Sequence, residues 1–100
     1  MNKGKMIPVN QFCASHNIEI SFISSLQDAG LIRITSLEAN DYIYESYLTE
    51  LEKMVYFHYD LGINLEGIET IINLLHQIDD MQNEINLLRN RLRFFETFEL

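Results

Sequence analysis

Residues 68–100 read IETIINLLHQIDDMQNEINLLRNRLRFFETFEL, a stretch without glycine or proline. Its apolar residues recur every three or four positions, which is the heptad pattern of a coiled coil. The eight positions of this pattern, called the seam below, are Ile71, Leu74, Ile78, Met81, Ile85, Leu88, Leu92 and Phe95. A helix from Leu65 to about Phe95 would be roughly 45 Å long at ~1.5 Å per residue. This is more than the preceding residues can cover, so the pattern predicts that residues 64–96 form a long helix that pairs with a second copy of the chain.

Pairing of the long helices would add substantially to the stability of a chain of this size. Each seam side chain contributes at most about 1.5–3 kcal/mol when it is buried, and a 100-residue domain is only marginally stable without such help. The helix could instead fold back on itself as an intramolecular hairpin, although nothing between Asp79 and Asn83 forces a break. A homodimer is the prediction, with residues 6–62 as a separate compact head.

The head is strongly acidic. The chain has a formal net charge of −8, and eight carboxylates but only one lysine lie between Glu38 and Glu69. Such a surface repels polyanions and attracts basic proteins. A single cysteine, Cys13, excludes an internal disulfide and suits a reducing compartment. With no run of eighteen apolar residues, the sequence predicts a cytoplasmic protein that does not enter membranes.

Two short helices joined by a tight turn are predicted at the start of the head. Pro8 suits a helix start, and the first helix should end near His16. Asn17 tolerates the left-handed backbone of a turn. A second helix from Glu19 to Ala29 should then end at Gly30. This order is a helix-turn-helix, with predicted core side chains Val9, Phe12, Cys13, Ile18, Phe22, Ile23 and Leu26.

A small hairpin and a third helix should complete the head. Runs rich in β-branched and aromatic residues at 31–35 and 41–44 predict two strands. A third helix should begin at Ser46 and end at Leu61-Gly62. Its buried face is predicted from the residues at helical spacing, namely Leu48, Leu51, Val55 and either Tyr56 or Tyr59. Asn64 should cap the long helix. The predicted fold class is mainly α, with a winged helix-turn-helix head followed by a long coiled-coil helix.

Two stretches of the head carry a resemblance to a known family. His16-Asn17-Ile18-Glu19, FISSLQ at 22–27 and GLI at 30–32 follow the apolar scaffold and closing glycine of the signature T-G-V-S-x-x-T-L-R-Y-Y-E-x-x-G-L-I, and LGINLEGI at 61–68 follows L-G-F-S-L-E-E-I. The chain thus resembles the MerR-type head. DNA-binding members have an arginine where Ser24 stands and a basic residue at the start of the wing, where this chain reads Tyr42-Ile43-Tyr44. Both phosphate-reaching charges are missing, so nucleic-acid binding is not expected.

A narrower family resembles the whole chain from Val9 to Phe95. Phe12-Cys13, the stretch at 61–68 and IDDMQNEINLLRNRL at 78–92 look like a chaperone modulator of the CbpM type, which has a MerR-like head and a C-terminal coiled coil. This resemblance implies a protein that binds and inhibits a DnaJ-like co-chaperone of the CbpA type by occupying its J-domain. The alternatives are a MerR-like DNA-binding transcription regulator that acts as a dimer, and a scaffolding domain for another partner.

Pairing direction and contact residues stay open at this point. In a parallel dimer Glu84 faces Arg89 and Arg91 faces Glu96, whereas MerR-like proteins usually pair antiparallel. J-domains present a basic helix, which acidic side chains of the head would attract. The candidate partner-binding carboxylates are Glu38, Asp41, Glu45, Glu50, Glu52 and Asp60. Each could equally belong to an ordinary solvated surface, and the tyrosines of the same stretch could be core residues or anchors for a partner.

No residue pattern predicts catalysis, a metal or a cofactor. His76 and Asp80 are one helical turn apart and could share a ligand, but two ligands do not make a metal site. Cys13 lacks a basic neighbour in sequence and is predicted to be a small core residue. The chain is therefore predicted to be a non-enzymatic binding protein.

Overall fold

The computed structural model describes residues 4–98. The chain divides into two compact units, one up to Glu69 and one from Thr70 onward. The first contains a helix-turn-helix, a small antiparallel sheet, a third helix and the start of a fourth, and the described part of the second is the remainder of that fourth helix. The predicted fold class, a mainly α chain with a winged helix-turn-helix head and a long C-terminal helix, is confirmed.

The helix-turn-helix forms as the sequence predicts. Helix α1 is Val9–His16 and helix α2 is Ile20–Asp28. Asn17 has φ 55° and ψ 49°, and its backbone N–H donates to the carbonyl of Ala14. Gly30 has φ 78°, which lets the N–H of Leu31 reach the carbonyl of Leu26 at 2.9 Å. Left-handed residues end both helices because they allow the chain to satisfy the last carbonyls.

The sheet has three strands in the order β1-β3-β2, with β1 Met6–Pro8, β2 Thr35–Leu37 and β3 Asn40–Tyr44. Both pairings are antiparallel, with Met6 opposite Tyr44 and Leu37 opposite Asn40. The hairpin β2–β3, called the wing, turns through Glu38 and Ala39, both with positive φ.

One strand of the sheet was predicted at the wrong place and another was not predicted. The predicted strand at 31–35 overlaps β2 only at Thr35. Leu31 and Ile32 are half-buried without belonging to a strand. The N–H of Leu31 donates to the carbonyl of Leu26 in the cap of α2. Strand β1 was not predicted at all, because three residues ending in proline give no strand signal until β3 supplies a partner.

The third helix is less regular than predicted. A 3₁₀ turn at Glu45–Tyr47 leads into α3, Leu48–Val55, and a π-helical turn, Tyr56–Asp60, follows. Ser46 lies within the 3₁₀ turn and no side chain caps α3, so its predicted capping role is wrong. Tyr56 and Tyr59 are both exposed, because the wider π turn changes the helical phase after Val55.

Helix α4 is Leu65–Phe98. As predicted, Asn64 caps it: the Asn64 side-chain oxygen accepts a hydrogen bond from the Gly67 N–H at 2.8 Å. The buried apolar residues of the first compact unit come from every element other than β1, β2 and the turns. They are Val9, Phe12 and Cys13 from α1, Phe22, Ile23 and Leu26 from α2, Ile43 from β3, Leu51 and Met54 from α3, and Ile68 from α4. This core holds α2 and the wing in place.

Candidate interaction surfaces

The outward side of α2, called the reading face, carries small neutral side chains and one carboxylate. These are Ser21, Ser24, Ser25, Gln27 and Asp28. The Ser25 hydroxyl donates to the Ser21 carbonyl at 3.0 Å, and the Ser21 hydroxyl donates to the Glu19 carboxylate at 3.1 Å. Helix α2 contains no lysine or arginine. A helix that reads DNA relies on cationic and amide side chains that reach phosphates and base edges, and this face offers few of them.

The six carboxylates that the sequence singles out are spread over several elements. Glu38 and Asp41 lie on the wing, Glu45 opens the 3₁₀ turn, Glu50 and Glu52 lie on α3, and Asp60 ends the π turn. Glu50 is half-buried and the other five are exposed. They therefore offer separate contact points around the head.

Glu50 and Glu52 face different sides of α3, since residues two apart on a helix point roughly 200° away from each other. The Glu52 carboxylate lies 3.4 Å from Nε2 of His16, at the end of α1. Glu50 lines a groove of about 510 Å³ together with Gln27 and Arg33. A partner that contacts one of these carboxylates need not contact the other, so the two require separate tests.

An aromatic cluster fixes the π turn to α2. The rings of Phe22 and His58 stack with centroids 4.6 Å apart, and Tyr59 meets Phe22 edge to face at 5.4 Å. The Tyr59 hydroxyl accepts a hydrogen bond from the Glu19 N–H at 3.1 Å, and Nδ1 of His58 lies 2.9 Å from the Ile63 carbonyl. Tyr59 thus supports the start of α2 although the residue remains 41% exposed. Such a contact was not predictable, since the two residues lie 40 positions apart.

The seam is exposed along most of its length. Ile71 is half-buried, and the seven positions from Leu74 to Phe95 are 43–63% exposed. Leu75, Leu87 and Phe94 add exposed apolar area outside the seam. The heptad pattern does not include these three residues, because it covers only two positions in every seven. A contiguous apolar surface of this kind is typical of a protein–protein interface.

The titratable side chains of the described residues are dispersed over the surface and the core. Within residues 4–98, no three His, Cys, Asp or Glu side chains lie close enough to hold a metal ion. Cys13 is buried, as predicted, and burial raises the pKa of its thiol above the usual range, which disfavours the reactive thiolate. No helix in the described part of the chain has both the length and the apolar character needed to cross a membrane.

Comparison with known proteins gives one match. A family model described as "MerR HTH family regulatory protein" matches residues 7–90. The match begins in β1 and extends far into α4, so it includes the helix-turn-helix, the wing, α3 and most of the seam. Neither the curated proteins nor the solved structures yield a match.

Proposed function

We propose a function from one premise: the chain belongs to the MerR HTH family of regulatory proteins. Within that family we propose that it is a non-enzymatic chaperone modulator of the CbpM type. It would act in the cytoplasm as a homodimer, bind the J-domain of a DnaJ-like co-chaperone of the CbpA type, and so restrain the recruitment of Hsp70.

The reading face is the observation that carries this proposal. The hydroxyls of Ser21 and Ser25 are engaged in hydrogen bonds near α2, and the only charged group of this face is the carboxylate of Asp28. A regulator that binds DNA needs cationic side chains at this face, because neutralising the phosphates supplies much of its affinity for DNA. A MerR head with a neutral to acidic reading face is better suited to a protein ligand.

The charge of the whole head supports the same conclusion. Residues 6–62 contain eight carboxylates and two lysines or arginines. The resulting field steers a basic protein surface toward the head and raises its association rate. A J-domain, with its basic helix, is a partner of the required charge.

Dimerisation through the seam is the second part of the proposal. Seven seam side chains are exposed on a helix of 34 residues. Their burial in a coiled coil would offset the cost of leaving so large an apolar surface in water. Replacing Ile78 with lysine should leave a monomer in analytical ultracentrifugation, whereas Gln77→Lys, one residue away and outside the seam, should leave the dimer intact. A wild-type chain that sediments as a monomer over the micromolar range would disprove this part.

DNA binding is the second candidate function, and the family membership together with the intact helix-turn-helix and wing favours it. The two functions predict opposite results in one experiment. The purified chain is titrated with the J-domain of the organism's DnaJ-like co-chaperone, and separately with duplex DNA, at two salt concentrations. Saturable J-domain binding without DNA binding supports the modulator. Tight DNA binding with a steep salt dependence, and no J-domain binding, would refute it.

The same titration can locate the binding surface. Charge reversals Glu50→Lys and Glu52→Lys should be made singly, because the two carboxylates face different sides of α3. If one charge reversal weakens binding, the side of α3 that carries the mutated residue lies near the J-domain. If neither changes the affinity, α3 does not contribute a charged contact to the interface.

A further inference from the structure

A groove lies between the start of α2 and the wing. It has a volume of about 390 Å³ and includes Pro8 and Asn10 near the start of α1, Ile20 of α2, and Asn40, Asp41 and Tyr42 of β3. We name it the wing groove. All of its walls belong to the head, so it is present in each copy of the chain.

Ile20 gives the wing groove an apolar wall. It is the first residue of α2 and is 53% exposed, although the neighbouring Phe22 and Ile23 are buried. In helix-turn-helix proteins that read DNA, the N-terminal residues of the second helix contact the base edges. An exposed isoleucine at this position cannot donate or accept a hydrogen bond, but it can pack against an aliphatic side chain.

Asp41 supplies the charge of the wing groove. It carries the only formal charge among the described residues that line the groove. The Ser36 hydroxyl, on the paired strand β2, donates a hydrogen bond to Oδ1 of Asp41 at 2.6 Å. One carboxylate oxygen is thereby held in place, and the other can accept a hydrogen bond from a ligand. A carboxylate in this position repels phosphate and attracts an ammonium or guanidinium group.

We propose that the wing groove receives the basic helix of the protein partner, an inference that rests on the proposed J-domain function. A lysine or arginine of that helix forms a charge-assisted hydrogen bond with Asp41, and its aliphatic stem packs against Ile20. Lysine and arginine stems cover apolar surface in this way while their charged ends remain near water. Of the six candidate carboxylates, Asp41 is therefore the one that makes the central contact.

Binding of the full-length chain to the purified J-domain, measured by isothermal titration calorimetry, tests this assignment. Asp41→Asn keeps an oxygen that can accept the Ser36 hydrogen bond but removes the charge, and Ile20→Ser removes the apolar wall. Glu69→Gln and Leu37→Ser are the matched controls, since both residues are exposed, neither lines the groove and neither is among the candidate partner-binding residues. Each groove variant should weaken binding by about tenfold, and each control by less than about twofold.

The outcomes separate the two proposals. If the wild-type chain binds no J-domain, both the proposed function and this assignment fail. If the wild-type chain binds but the groove variants bind equally well, the assignment alone is overturned. Loss of binding in the controls to the same degree as in the groove variants would also overturn it, because the contact would then not be specific to the groove. Duplex DNA binding that Ile20→Ser abolishes would assign the groove to nucleic acid instead.

Discussion

The turn of the wing should be stabilised by replacing Ala39 with glycine. Ala39 has φ 68° and its neighbour Glu38 has φ 50°, as in the two-residue turn that connects twisted antiparallel strands. Asparagine and glycine are the usual residues at these two positions, because a Cβ atom makes the left-handed conformation unfavourable. This turn has neither asparagine nor glycine, so its left-handed conformation lowers the stability of the wing.

The size of the effect follows from two opposing contributions. The left-handed conformation costs a residue with a Cβ atom about 1–2 kcal/mol, which glycine recovers at position 39. Glycine also increases the entropy of the unfolded chain, which costs about 0.4–1 kcal/mol. The net expectation is that Ala39→Gly raises the free energy of unfolding by about 0.5–1 kcal/mol. In a domain of this size that corresponds to roughly 2–8 °C in melting temperature.

Thermal and urea denaturation followed by far-ultraviolet circular dichroism measure this change. All variants must be compared at one protein concentration, because the stability of any chain that self-associates depends on its concentration. Ala14→Gly is the matched control: Ala14 is exposed within α1, where the same substitution should destabilise by about 1 kcal/mol. If Ala39→Gly lowers the stability as Ala14→Gly does, the turn is not strained and the reasoning is wrong.

Three further predictions concern α4 and the core. Gly67→Ala should destabilise by about 1–3 kcal/mol in urea denaturation despite the better helix propensity of alanine, because the added Cβ would lie 2.6 Å from Cγ2 of Ile63; an increase in stability would show that Ile63 moves aside freely. Asn64→Ala should cost about 0.5–2 kcal/mol through loss of the helix cap, whereas Asn64→Asp should keep most of the stability, and equal losses in both would exclude the cap as the cause. Burial raises the pKa of the Cys13 thiol, so the folded state binds its proton more tightly than the unfolded state does. This stabilisation is fully present below the ordinary thiol pKa of about 8.5 and should be lost as the pH rises above it. Iodoacetamide at pH 8 should accordingly modify Cys13 far more slowly in the native chain than in urea, and equal rates would contradict its burial.

Local sequence signals predicted most of the helical fold. Asn17 and Gly30 marked the ends of α1 and α2 because few other residues adopt a left-handed backbone without strain. Asn64 marked the start of α4 for a similarly local reason, a side-chain oxygen that accepts a hydrogen bond three residues later. The wing was placed only in part: β3 was predicted nearly in full, whereas β2 was predicted too early in the chain.

The candidate surfaces were predicted less completely than the fold. Two features could be predicted from the sequence: the absence of cations from the reading face, and the apolar seam. Each depends only on residue types at fixed spacing. Helical spacing also predicts that Glu50 and Glu52 face different directions. It does not predict which residues each of them contacts. His16 lies far from Glu52 in sequence and reaches it only through the packing of α1 near α3. The wing groove combines residues from α1, α2 and β3, and no sequence window contains them all.

The sequence by itself determined that this chain is a helix-turn-helix protein with an acidic head and a long terminal helix of heptad character. Those properties depend on the conformations of single residues, on spacing along the chain and on the sum of charges, none of which requires distant contacts. Tertiary structure alone decided that Met6–Pro8 becomes a strand, that the third helix ends in a π turn held by Phe22 and His58, and that Ile20 lies at the same groove as Asp41. These features arise from pairings between residues that are distant in sequence, and the energy of such a pairing depends on a partner that local patterns cannot identify.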